Sequence, residues 1–190
     1  NDGYNVVVLN QLEREAELSL WNLREGSLVS SQSLDGVTVK ALNISTTGKY
    51  GLILGDAQAY LAVWDSRSFE IAQFILSHEI DEIRDISWSD DEQYILIQYR
   101  DNTSDLYQRA DKTVTLVRSY SDGVIHAFSR NGMMWRYEDG ALMSERIGDG
   151  ALSVIYDSLT DHLDDIEVEG IVMHPHSNHV VFWGSKGLVT

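Results

Sequence analysis

No cysteine occurs among the 190 residues, which excludes disulfides and thiolate metal sites and leaves the redox compartment open. Proline occurs once, so no proline-rich linker divides the chain, and no low-complexity segment or break in composition marks a domain boundary. Basic residues are also scarce: 14 Lys and Arg stand against 30 Asp and Glu, for a net charge of -16. Phosphate backbones and anionic membrane surfaces repel such a chain over a Debye length of about 8–10 Å, which argues against nucleic acid as a partner. No apolar run approaches the roughly 20 residues that span a bilayer, so no membrane insertion is expected in this stretch. The opening NDGYNVVV lacks the basic start and small-residue cleavage site of a signal peptide, and the compartment stays unassigned.

What the chain does have is enough apolar material, 43 % hydrophobic and 9 % aromatic, to bury the core of one continuous domain. The apolar runs NVVVL, YGLIL and YILIQY are short and rich in β-formers, without the 3.6-residue stripes of helices. They recur in a fixed order. Trp88 to Tyr107 reads as a strand end, an acidic turn, a strand over Tyr94 to Tyr99, a second turn and a third strand; Asn43 to Asp65 repeats that order around Thr47-Gly48. The second turn residues Gly3, Gly48, Glu92, Gly132 and Asn178 stand 45, 44, 40 and 46 positions apart. Four short strands fit each period, the fourth being a segment such as SLVSSQSL or IAQFIL. A unit of about 40 to 45 residues with four strands predicts an all-β propeller of antiparallel blades, because one small sheet cannot bury both faces without neighbours. The 190 residues then hold four to five blades of a larger ring. The first enters after its first strand, and the last stops in its third.

Particular dipeptides resemble the WD40 repeat family. Trp21-Asn22 and Trp64-Asp65 look like its WD pair, and Tyr107-Gln108 is a weaker version. Ile44-Ser45, Trp88-Ser89 and Phe128-Ser129 resemble its apolar residue plus serine before the first turn. His78 and His162 fall near the place of its Gly-His pair, without the glycine. The resemblance implies a structural network of a buried histidine, a turn aspartate and the third-strand aromatic, which carries over as His78, Asp101 and Tyr107. It touches nearly the whole chain, although the unit from Gly123 to Asp157 has no WD pair.

In that geometry two sets of loops share one face, which collects Glu13, Glu15, Asp56, Glu79, Asp81, Glu82, Asp101, Glu138, Asp139, Asp157, Asp161, Asp164 and Asp165. Arg14 and Arg100 are its counter-charges, and the opposite face receives Arg24, Lys49, Arg67, Arg109, Lys112 and Arg130 among its acids. Glu79, Asp81, Glu82, Asp157, Asp161, Asp164 and Asp165 are the binding candidates, an acidic surface that steers a basic protein partner. No metal or cofactor is expected. His174, His176 and His179 sit in a turn where surface histidines are ordinary, DHLDDIEVE lacks the central glycine of a calcium loop, and STTGK has no helix behind it to receive a phosphate. Ser77 beside His78 is no nucleophile and base by adjacency alone, and the recurrent Trp21, Trp64, Trp88, Trp135 and Trp183 read as core. The expectation is a non-enzymatic interaction scaffold. The alternative is a propeller enzyme or sensor whose site lies outside this segment.

Overall fold

The computed structural model describes residues 5–13, 15–64, 68–129, 132–156, 168–173, 179–185 and 187–189. They form five antiparallel sheets in chain order. The first holds β1 (Asn5–Leu12), β2 (Glu15–Asn22) and β3 (Ser27–Asp35); the second holds β4 (Val39–Ile44), β5 (Tyr50–Gly55), β6 (Ala59–Trp64) and β7 (Phe69–Phe74). A 3-10 turn at Ile80–Glu82 leads into the third, β8 (Ile83–Trp88), β9 (Tyr94–Tyr99), β10 (Ser104–Ala110) and β11 (Thr113–Tyr120). The fourth is β12 (Ile125–Phe128), β13 (Met133–Glu138), β14 (Ala141–Arg146) and β15 (Leu152–Tyr156), and the fifth β16 (Val168–Met173), β17 (Val180–Gly184) and β18 (Gly187–Val189). Each sheet is a simple meander, and successive sheets stack like the blades of a fan. Ile171 to Met173 pair with Phe182 to Val180 of β17.

The core is a series of seams between sheets, and strand alternation deals side chains to the two sides of each blade. On β5, Ile53 joins Leu18, Leu20 and Trp64 in the seam to the first sheet, while Leu52 and Leu54 join Ile95, Ile97 and Tyr107 in the seam to the third. On β9 and β10, Leu96 and Leu106 turn the other way, to Met134 and Ile147. Leu142, Ile171 and Phe182 close the last seam. Middle strands are therefore apolar on both faces, as in YGLILG and YILIQY, where a sheet with one wet face would alternate. Outer strands have fewer neighbours, and all of β15 is exposed. A bulge recurs where the first strand of a blade begins, at Val39/Ala41, Ile83/Asp85 and Val168/Gly170, and adds local twist at equivalent places.

The turn chemistry repeats as well. Ser45 N–H donates to Tyr50 O at 3.0 Å and its hydroxyl accepts from Tyr50 N–H at 3.2 Å; Ser89 and Tyr94 make the same two bonds at 3.0 and 2.9 Å. The left-handed position of this turn is Gly48 (φ 73°) in the second sheet but Glu92 (φ 56°) in the third. A glutamate there is strained, and its carboxylate offsets the strain by accepting from Thr47 N–H (2.7 Å) and Thr47 Oγ1 (2.8 Å), tying one sheet to the preceding one.

Three tryptophans depart from expectation, and of these Trp183, read as core, is 39 % exposed on the fifth sheet. Trp64 N–H donates to Lys49 O just as Arg109 N–H does to Gln93 O, so sheet register places Trp64 level with Arg109, two residues beyond Tyr107. Trp21 is 38 % exposed, its indole N–H donating to Ser19 Oγ at 3.0 Å, because it lies on the face of the first sheet that looks away from the second.

Candidate functional site

On the face formed by the turn between β5 and β6 and the connection from β7 to β8, a groove of about 690 Å³ opens between the second and third sheets. Its rim carries Asp56, Glu79, Asp81 and Glu82, and Ile75 stands beside them 87 % exposed. Short local bonds set the acids in place. Glu82 N–H closes the 3-10 turn onto Glu79 O at 3.1 Å, and Arg100 N–H donates to Glu82 O at 2.7 Å. Lys40 pairs with Asp81; among the described residues Asp56, Glu79 and Glu82 have no cation within ion-pair distance. Three of the acids expected to bind a partner, Glu79, Asp81 and Glu82, thus come together around one groove. Asp157, Asp161, Asp164 and Asp165 lie outside the described residues, as do Asp65, His162, His174 and His176. His179 is exposed just before β17.

Under the groove floor lies a buried polar network centred on Asp105, not Asp101. The Asp105 carboxylate accepts from Tyr99 OH at 3.0 Å, from the hydroxyls of Ser77 and Ser119, and from Tyr107 OH at 3.5 Å. His78 stacks on Tyr99 with ring centroids 4.1 Å apart, and its Nδ1 lies 3.6 Å from Asp105 and 2.9 Å from Ser77 Oγ. Burial, the largest influence, pushes the Tyr99 phenol far above its ordinary pKa, so it remains a donor. Ser77, His78 and Asp105 are close, yet both other groups meet the same histidine nitrogen and the serine donates to the aspartate. A triad instead places its serine and aspartate on opposite ring nitrogens, so this cluster holds structure together. Asp101 is spent in its own turn, accepting from Thr103 N–H (3.0 Å) and Thr103 Oγ1 (2.7 Å). Alternation was the available signal: Asp105 and Tyr107 are two residues apart on β10 and share the face toward the second sheet.

A second network, absent from the sequence expectations, ties the third sheet to the fourth. Glu145 on β14 is buried; it pairs with Arg118 on β11, accepts from Tyr120 OH at 2.8 Å and lies 3.7 Å from Arg136 Nη1. Arg118 crosses above Gly150, whose φ of 73° lies in the left-handed region that favours glycine. Buried His126 lies against Tyr120, their ring centroids 3.9 Å apart. Burial first, then the charges of Arg136 and Arg118, hold its pKa down to about 3. The unfolded chain takes up this proton near pH 6.5, whereas the folded chain resists it until about pH 3. Below pH 6.5 the unfolded state binds more protons, so His126 lowers stability progressively as the pH falls through that window. Urea unfolding midpoints measured from pH 7 to 4.5 are expected to decline, and His126→Gln to flatten the decline; an unchanged slope would remove His126 as its source.

No protein-family model matches the chain, and no curated protein matches it in sequence. Solved structures do share its shape. The WD40 domain of SCAP from fission yeast superposes with a TM-score of 0.58 at 12 % identity, over 97 % of this chain and 51 % of that one. A Bacteroides uniformis protein proposed as a 6-phosphogluconolactonase superposes at 0.56 and 11 % identity, over 98 % and 62 %. PorZ, a surface component of the type-IX secretion system of Porphyromonas gingivalis, gives 0.45 and 12 % over 96 % and 24 %. The chain spans less than two thirds of each of these proteins. At such identities the likeness to the first two shows a β-propeller-like fold and nothing finer. It also overturns the expectation that the chain is not an enzyme, because one protein with this fold is itself proposed to be an enzyme.

Proposed function

We propose that this propeller-like chain presents its acidic loop face, centred on the groove between the second and third sheets, to a basic segment of a partner protein. One observation carries the reading: Asp56, Glu79, Asp81 and Glu82 converge from two loops around a single groove beside the exposed Ile75, so a segment with Lys or Arg flanking an apolar residue meets both charge and a contact surface. The loops are held by sheets buried on both faces, which keeps the charges in place without a partner. A pull-down with the intact protein at low and high salt is the test. Capture is expected to fade as ions screen the face, and the triple variant Asp56→Asn/Glu79→Gln/Glu82→Gln to lose about 10-fold or more in affinity. Salt-independent capture that the triple variant leaves intact would end the proposal.

The five sheets are further proposed as an arc of a larger ring. Two end faces support this: Val8 and Trp21 on the first sheet, and Val172 and Trp183 on the fifth, are large apolar side chains left partly exposed. A second reading, a propeller enzyme or sensor, draws on a polar cavity beside the inner strands, lined by Arg84, Asp122, Tyr137 and Glu169.

A further inference from the structure

That cavity, of about 520 Å³, lies where the third, fourth and fifth sheets approach one another, and it is separate from the acidic groove. Arg84, on β8, is its cationic side chain. Two neutral amides hold the guanidinium: Nη1 donates to Asn102 Oδ1 at 3.2 Å and Nη2 to Gln98 Oε1 at 3.1 Å. Both holders are themselves fixed. Gln98 Nε2 donates to His126 O at 3.2 Å, and Asn102 sits in the left-handed region at φ 64° with its N–H on Tyr99 O. The fork is therefore oriented while its charge is left standing, and among the described residues no carboxylate comes within 4.0 Å of it. Asp122, from the connection to β12, and Glu169, on β16, line the same cavity, and neither belongs to an ion pair among the described residues.

Among the described residues, opposite charges thus border one cavity without pairing. A simple anion bound to Arg84 would face two carboxylates, and a simple cation bound to the carboxylates would face Arg84. A small molecule with both signs satisfies both sides, and the volume suits a compact ligand. We infer that this cavity binds a small zwitterion of the α-amino-acid or dipeptide class, its carboxylate on the Arg84 fork and its ammonium between Asp122 and Glu169. Arg presents a planar fork that takes a carboxylate through two hydrogen bonds, which a lysine could not do. Gln98 and Asn102 act as positioning residues for that fork.

The inference is independent of the acidic groove, and its test separates the two. Calorimetric titration of the intact protein with the 20 free amino acids and with dialanine is expected to give saturable binding for at least one of them. Its N-acetylated form and its α-amide, each lacking one charge, are expected to bind about 10-fold or more weakly, since each loses a charge-assisted contact. Arg84→Gln and Glu169→Gln are expected to cost a similar factor with unchanged thermal melts, both side chains being exposed. Asp81→Asn, on the other groove, is expected to leave the titration unaltered. Absence of saturation with every zwitterion, equal binding of an acetylated form, or a loss with Asp81→Asn as large as that with Arg84→Gln would each overturn it.

Discussion

Glu145→Ala is expected to destabilise the protein by about 3–5 kcal/mol, the cost of leaving buried charge without its partner. Glu145 is buried at the meeting of the third and fourth sheets, and three groups depend on it: Arg118, Arg136 and the hydroxyl of Tyr120. Alanine removes the acceptor and leaves two guanidiniums without it, each 5.9 Å from the Tyr120 ring centroid. Arg118 is about a third exposed, so water screens part of its charge and the cost falls toward the lower end of that range. Glu145→Gln keeps an acceptor for Tyr120 without the charge and is expected to lose less. Urea unfolding of both variants checks this. An alanine variant with wild-type midpoint and slope would mean that the network does not hold the two sheets together.

Trp64→Ala is expected to cost a comparable amount, about 3–5 kcal/mol, against a typical total of about 5–15 kcal/mol. The indole is 9 % exposed, meets Phe69 edge-on at 6.1 Å and fills the seam between the first and second sheets. It also covers Gly51, where a Cβ would come within 2.7 Å of two of its ring carbons. Gly51→Ala alone is therefore expected to destabilise by about 1–3 kcal/mol through overpacking. In combination with Trp64→Leu its further cost should shrink, because the ring it collides with is gone. Strict additivity in denaturant titrations would contradict the packing of Trp64 on Gly51.

Much of this architecture was legible in the chain. The period near 44 and the four-strand unit recur as the sheets, and two of the serines before a turn make the Ser45 and Ser89 bonds. The acidic groove was legible in part, since Glu79, Asp81 and Glu82 are neighbours in sequence and a turn cannot separate them far. The resemblance points to the turn residue Asp101, four positions before the network's Asp105, because the burial of Asp105 on its strand is created by the preceding sheet. Glu145 could not be read at all. A glutamate in ALMSER resembles any exposed strand residue until Arg118 and Tyr120 arrive from the sheet before it.

The division follows from the range of the forces. Strand propensity, alternation and turn capping act between residues a few positions apart, so the chain by itself determined a repeating four-stranded β unit and the local grouping of Glu79, Asp81 and Glu82. Which buried polar groups are satisfied, and which charges border the cavity at Arg84, depend on contacts between sheets. Thr47 meets Glu92 across 45 residues, and Arg118 meets Glu145 across 27. Those distances in sequence close only when the sheets stack, so the tertiary structure alone decided them.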